Sequence, residues 1–306
     1  MPIQKEPRWP GNIKPFLKWA GGKTQLLPVI GEAFPEKFKA GQPFSYIEPF
    51  VGSGAVLFWV LKTFPQVKKA VINDVNSDLT GAYQTIKENP LELIAILEAL
   101  QQAYFEKKEE ARKDFFLEKR ERFNQRNLNL LENTALLLFL NRTCFNGLYR
   151  VNSQNKFNVP FGKYKQPAIS NPTLIKAVSA TLQKVDILNG DFEQTLHSAD
   201  RETFFYFDPP YKPISQTASF TAYAQGAFDD QSQRRLKAFC DKLDALGHSW
   251  LLSNSDPKNV DLTNSFFDDL YQSYCIKRVR ARRAINSNAG KRGEISELLI
   301  SNYSVS

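Results

Sequence analysis

Four short apolar runs, each closed by an acid, constrain this chain more than any other feature. They are "SYIE" (Ser45–Glu48), "AVIND" (Ala70–Asp74), "VDILNGD" (Val185–Asp191) and "FFYFD" (Phe204–Asp208). Each has the length of a buried strand rather than a helix. Between them lie stretches with helical spacing: "GAVLFWVLKTF" after a glycine turn, a segment from about Ser77 capped by that serine or by Asn76, and "TLIKAVSATLQ". Later, "DDQSQRRLKAFCDKLDALG" reads as an amphipathic helix, and "HSWLLSNSD" and "ELLISNYS" read as strands. Alternating strands and helices predict an α/β fold, an open and mostly parallel sheet with helices on both faces. In such a sheet ligands bind at the carboxyl ends of the strands, where these acids stand.

One region departs from this rhythm. From about Pro90, "PLELIAILEALQQAYFEKKEEARKDFFLEKRERFNQ" has helical spacing and dense charge but no strand signal, and "NTALLLFLNR" is a further apolar helix. "NGLYRVNSQNKFNVPFGKY" then mixes Asn, Gly and Ser with short runs, as a β-hairpin carried on helices would. The expected division is therefore a main domain of residues 1–76 and 169–306, with residues 77–168 inserted as a mainly helical domain with a hairpin.

Composition excludes several classes. Of 306 residues, 42% are hydrophobic and 24% charged, as in a globular domain with a sizeable core. No apolar run approaches the ~20 residues of a bilayer span, and "MPIQKEPRWPGN" lacks the apolar core of a signal peptide. Three scattered cysteines and two histidines argue against a zinc site and a disulfide framework, so no metal and a cytoplasmic setting are expected. A net charge of +8 suits solubility and equally suits a polyanionic partner.

Three motifs bear on chemistry. "KWAGGKT" ends like a phosphate-binding loop, but Leu17 stands where that loop needs its first glycine, and Pro15 interrupts the strand expected before it. In "EPFVGSG", Gly52 and Gly54 follow a strand and open a helix, which is either a tight turn or a place where a ligand nears the backbone. Asp74, some twenty residues on, is positioned either to cap a helix or to accept hydrogen bonds from a ribose diol. "DPPY" is the most specific. Asp208 and the carbonyl of Pro209 offer acceptors for the two N–H protons of an exocyclic amine, Pro209 and Pro210 stiffen the turn, and Tyr211 offers a flat surface for a base.

Taken in order, "KWAGGK", "EPFVGSG", "DPPY", "NRTCFNGLYRVNSQNKFNVPFGKYKQP" and "SNAGKRGEISELL" resemble the Dam-type, alpha-class DNA adenine methyltransferases. The resemblance covers most of the chain, with its gaps mainly in Pro90–Asn133. RNA adenine and glutamine methyltransferases share a DPPY-like motif but not the N-terminal motif or the insertion. The resemblance implies a Rossmann-like sheet that binds S-adenosylmethionine, with Trp19, Gly22, Lys23, Phe50, Gly52, Gly54, Asp74, Asp191, Phe192 and Asp208 around the cofactor. It implies methyl transfer to adenine N6 in duplex DNA at Asp208, Pro209, Pro210 and Tyr211. Because N6 is out of reach inside a duplex, the base must flip out and stack on Tyr211. The insertion then reads the target, expected to be GATC, with a longer palindrome such as GATATC as the alternative.

By the same resemblance Arg150 meets a guanine edge in the major groove, although a phosphate contact would also suit an arginine there. Leu148 and Pro160 face a thymine methyl, Asn146 lies in the same segment, Phe145 or Tyr164 fills the gap left by the flipped base, and Lys163 and Lys165 meet phosphates. Lys277, Arg278, Arg280, Arg282, Arg283, Lys291 and Arg292 read as a basic loop for the DNA backbone. A monomer is expected. Two other classes are weighed against this one: a nucleotide kinase or ATPase, which the incomplete GGKT loop disfavours, and a non-catalytic DNA-binding protein, which the intact DPPY disfavours.

Overall fold

In the computed structural model, which describes residues 13–19, 21–210, 228–282 and 294–305, the buried runs form strands at their expected places. They are β1 (Phe44–Glu48), β2 (Val67–Asp74), β3 (Val185–Asn189), β4 (Thr203–Phe207) and β5 (Ser249–Ser255). All five residues of β1 and of β4 are buried, as strands covered on both faces require. Two further strands close the chain, β6 (Cys275–Arg282) and β7 (Glu294–Ser301). The sheet has seven strands in the order β3-β2-β1-β4-β5-β7-β6. β1 runs parallel to β2 and β4, and β4 parallel to β5, whereas β7 is antiparallel to both β5 and β6. The order reverses between β1 and β4, the switch point at which such sheets place their ligands.

The helices also follow the sequence pattern. They are α1 (Leu27–Glu32), α2 (Glu36–Lys39), α3 (Ala55–Thr63), α4 (Ser77–Glu88), α5 (Pro90–Phe105), α6 (Glu109–Asn124), α7 (Leu130–Thr143), α8 (Pro172–Leu182), α9 (Asp230–Ala245) and α10 (Phe266–Leu270). Asn76, rather than Ser77, caps α4 by accepting from the backbone N–H groups of Asp78 and Leu79. Its short amide satisfies two of the N–H groups a helix start leaves unpaired.

The segment read as a hairpin is a short one: Val151 and Phe157 form an antiparallel bridge, Asn152 N donates to the Lys156 carbonyl at 2.9 Å and Asn158 N to the Arg150 carbonyl at 3.1 Å, and Cys144 forms a second antiparallel bridge with Phe161. One expectation is corrected. The stretch beginning "KRVRAR", read as a basic loop, is the edge strand β6, paired along its length with β7. Charged residues are the usual protection of such an edge, which is why its composition resembles a loop. Arg283, Lys291 and Arg292 lie outside the described residues, as does the side chain of Arg282.

By compactness the chain divides into two units. The first comprises Met1–Gly22, Gly52–Thr63 and Asp74–Gly190, and the second Lys23–Val51, Phe64–Asn73 and Asp191–Ser306. In the first, helices α4 to α8 bury Leu79, Tyr83, Leu97, Tyr104, Phe116, Phe139 and Val178. In the second, the sheet buries an aromatic cluster in which Phe34, Phe38, Phe44, Phe64 and Phe204 meet ring to ring.

Candidate active site

In the second unit the sheet ends at Phe207, so Asp208 is the first residue beyond β4. Its Oδ1 lies 2.7 Å from Lys23 Nζ; the lysine side chain is 4% exposed and that of Asp208 20%. Ser253, on β5, brings its Oγ to 3.4 Å from the same Oδ1, to 3.3 Å from the Phe207 carbonyl and to 2.9 Å from the Tyr206 hydroxyl. Among the described residues, both partners of the carboxylate therefore hold one oxygen. Burial raises the pKa of Asp208 above that of an ordinary carboxylate, and Lys23, with help from Ser253, pulls it part of the way back. The lysine of "GGKT" thus meets a carboxylate. At the end of the neighbouring strand β1, buried Glu48 accepts a 2.7 Å hydrogen bond from the Tyr46 hydroxyl. Pro209 is buried and Pro210 exposed. Tyr211 lies outside the described residues.

The same unit holds Phe50, Asp191 and Phe192. Phe50 and Phe192 are 5.3 Å apart between ring centroids, and Phe228 stands edge-on to Phe50 at 5.5 Å. Asp191 sits two residues beyond β3 and caps a short 3₁₀ turn by accepting from Glu193 N at 3.0 Å. Its other oxygen pairs with Arg235, whose Nε meets Glu193 at 2.6 Å and whose guanidinium lies over Phe192 at 4.4 Å.

The first unit holds the glycine turn. Gly52 has φ +48° and Gly54 φ +73°; a Cβ on Gly54 would collide with the Tyr83 hydroxyl, and one on Gly52 would come within 3.4 Å of Trp19 Cδ1. Any other residue would strain this turn. Asp74 ends β2 and holds the turn: its Oδ2 accepts from Gly52 N at 3.2 Å and its Oδ1 from Asn76 N at 3.0 Å. Burial raises its pKa, and these backbone donors work against that rise. Asp74 is therefore not the helix cap, which is Asn76. A small-residue turn, an acid held by backbone N–H groups and the Trp19 ring fit a nucleoside with a ribose diol.

Of the residues expected to meet DNA, those from Phe145 to Lys165 also lie in the first unit, and those on β6 in the second. Arg150 is exposed; its Nε donates to Asn158 Oδ1 at 2.6 Å and its Nη2 reaches the Asn158 carbonyl at 3.3 Å. Phe145 is 51% exposed, and Asn146 is exposed with φ +55°. Leu148 is half-buried and Pro160 exposed. The Tyr164 hydroxyl accepts from Asn146 N at 3.0 Å, its carbonyl accepts from Tyr104 at 3.1 Å, and Lys18 lies over its ring at 5.4 Å. Of the expected basic residues on β6, Arg278 is engaged with Asp256 and Asp268 at 2.9 and 2.8 Å. Among the described residues, no group of three or more His, Cys, Asp or Glu side chains could hold a metal.

Sequence reasoning gave no role to Ser253, Glu48 or buried Asn141. Asn141 donates to the carbonyls of Lys18 and Gly147 and accepts from Lys18 N, which ties "KWAGGK" to "NGL". Glu48 carried a signal, since it ends a strand as Asp74 does. Nothing local marked Asn141 inside an apolar helix.

A seven-stranded sheet with its order reversed at β1 and β4, flanked by helices, is of the Rossmann-like class to which methyltransferases belong. The chain belongs to the D12 class of N6 adenine-specific DNA methyltransferases, whose family model matches residues 19–285. It is 47% identical over 295 residues to the type II methyltransferase M.MjaIII of Methanocaldococcus jannaschii, covering 95% of this chain and 100% of that protein. It is 38% identical over 297 residues to the type II methyltransferase M1.LlaDCHI of Lactococcus lactis subsp. cremoris, covering 95% and 96%. With the DNA adenine methylase of Haemophilus influenzae it shares 34% identity over 287 residues, covering 94% and 92%. The chain is accordingly an adenine-specific DNA methyltransferase that uses S-adenosylmethionine.

Proposed function

We propose that this methyltransferase modifies adenine N6 within GATC in duplex DNA, after the base has flipped out of the stack, and that Asp208 and Pro209 carry the transfer. S-adenosylmethionine supplies a methyl group on a cationic sulfur, already reactive, so the chain's task is orientation. The observation that carries this reading is the lopsided support of Asp208. Lys23 and Ser253 hold Oδ1, which leaves Oδ2 to accept one N6 proton while the Pro209 carbonyl accepts the other. Two such acceptors draw the nitrogen toward a tetrahedral arrangement and direct its lone pair out of the ring plane. Pro210 stiffens the turn, and Tyr211 supplies the stacking surface. Trp19, Gly22, Lys23, Phe50, Gly52, Gly54, Asp74, Asp191 and Phe192 form the cofactor set.

In the insertion, residues 77–168 in our division of the chain, Arg150 reads guanine, with Leu148 and Pro160 against a thymine methyl. Asn146 stands beside them, and Arg282 on β6 meets the phosphate backbone. Phe145 is the better candidate for the vacated gap, because its ring is exposed whereas Tyr164 is engaged at its hydroxyl, its carbonyl and its ring face. The type II names of two relatives support a restriction–modification setting, and we take the enzyme to be a cytoplasmic monomer.

The test is base-resolved mapping of methylation on duplex DNA treated with the purified protein and with Asp208→Ala. Modified adenine in GATC, and none with the variant, is expected. Modification confined to GATATC would shift the target to the longer palindrome, and a site without a leading GA would remove the role given to Arg150. Near-normal turnover by Asp208→Ala would remove the catalytic assignment.

A further inference from the structure

Tyr149 precedes the arginine assigned to guanine, yet its side chain turns inward. Its hydroxyl donates to Asp78 Oδ2 at 2.7 Å. Its ring stacks on Trp19, with centroids 5.0 Å apart and planes 24° apart, and stands edge-on to Phe157 at 6.1 Å. Asp78 is 9% exposed and in the first turn of α4. It also accepts from Arg126 Nη1 at 2.7 Å and from Asn133 Nδ2 at 3.0 Å. Arg126 continues to the Asn155 carbonyl through Nε at 2.9 Å. Two routes therefore leave the Tyr149 ring toward the glycine turn. One passes through Trp19, whose Cδ1 lies 3.4 Å from where a Cβ on Gly52 would stand. The other passes through Asp78 and the cap residue Asn76, whose backbone N–H is held by Asp74. All of these residues belong to the first unit.

We propose that Tyr149 is a positioning residue that couples the target-reading segment to the cofactor turn. A hydroxyl bonded to a buried carboxylate is strong and directional, and an aromatic ring transmits displacement without absorbing it. When Arg150 engages a base edge, the backbone it shares with Tyr149 is fixed. The Tyr149 ring then holds Trp19 against Gly52, and Asp78 holds the start of α4 beside Asp74. By linkage the effect is reciprocal: a loaded cofactor turn favours the reading position of the segment. The inference rests on the assignment of Trp19, Gly52 and Asp74 to the cofactor and of Arg150 to the target.

The test measures binding of S-adenosylhomocysteine, which cannot donate a methyl group, to the full-length protein by calorimetry, with and without a duplex carrying the mapped target. The duplex should raise affinity in the unmodified protein by about fivefold or more, the usual lower range of coupling between sites. Tyr149→Phe keeps the ring and removes the hydroxyl; it should lose at least half of that ratio while binding the compound normally without duplex. Tyr149→Leu, which also removes the stack, should bring the ratio to one. A ratio of one in the unmodified protein, or a full ratio in Tyr149→Phe, overturns the proposal. The site assignment fails separately, if Asp74→Ala binds the compound as tightly as the unmodified protein with no duplex present.

Discussion

In its proposed role Asp208 is a charged acceptor in a place where burial opposes charge. Burial raises its pKa and Lys23 lowers it, so the lysine favours the ionised form. Replacing Lys23 by Gln removes the lowering influence. The folded-state pKa of Asp208 then climbs further, and the ionised form is lost at a higher pH as the solution is acidified. We expect the acid limb of the kcat/KM profile to move to higher pH in Lys23→Gln; a limb that stays in place would show that another group sets it. Asp74 serves a different purpose. Its oxygens hold Gly52 N and Asn76 N and, in the proposed role, the ribose diol. Asp74→Ala should weaken S-adenosylmethionine binding by ~1–3 kcal/mol, the cost of leaving buried polar groups unpaired, with calorimetry as the measurement. Both acids were legible because each ends an apolar run. Lys23 as the partner of Asp208 was not, since nothing near either residue names the other.

The segment assigned to target reading is a short hairpin whose few cross-chain hydrogen bonds, Asn152 N to the Lys156 carbonyl and Asn158 N to the Arg150 carbonyl, are supplemented from outside. Helix α6 and the residues after it supply the partners: Arg112 to the Lys165 carbonyl, Arg120 to that of Val159, Asn124 to both polar groups of Phe157, and Arg126 to the Asn155 carbonyl. A helix that the sequence marked only by its spacing and dense charge thus supports the segment. Asn124→Ala should leave the Phe157 N–H without its 2.7 Å acceptor and loosen the segment. Discrimination at the first base of the target should fall, with cofactor affinity unchanged, and methylation rates on sites altered at that base measure it. The glycine turn is the opposite case, an element whose residue types declare its geometry. Gly54→Ala would place a methyl group into the Tyr83 hydroxyl at φ +73°. It should lower the melting temperature as well as cofactor binding, because a left-handed residue with a Cβ costs ~1–2 kcal/mol before any clash is relieved.

At the scale of the molecule, a net charge of +8 over 306 residues matters for where the protein goes before it reads anything. The logarithm of the affinity for a duplex without the target should fall linearly as log salt rises, and Arg282→Ala should reduce the slope by about one, because a phosphate contact releases about one counterion whatever the sequence. A slope unchanged in that variant would remove Arg282 from the interface. The sequence by itself determined the strands β1 to β5, the acids at or just beyond the ends of β1, β2, β4 and β3, the glycine turn and the run of helices that interrupts the alternation. These are matters of periodicity, chain stiffness and residue type, and all of them act over a few residues. Only the tertiary structure decided that β6 is a strand, since its edge position rather than its composition makes it one, and that β7 lies antiparallel between β5 and β6. It alone joined Lys23 to Asp208, and Tyr149 to an aspartate 71 positions away. Such pairs depend on which segments the sheet order and the helix packing bring side by side, and no local pattern encodes that choice.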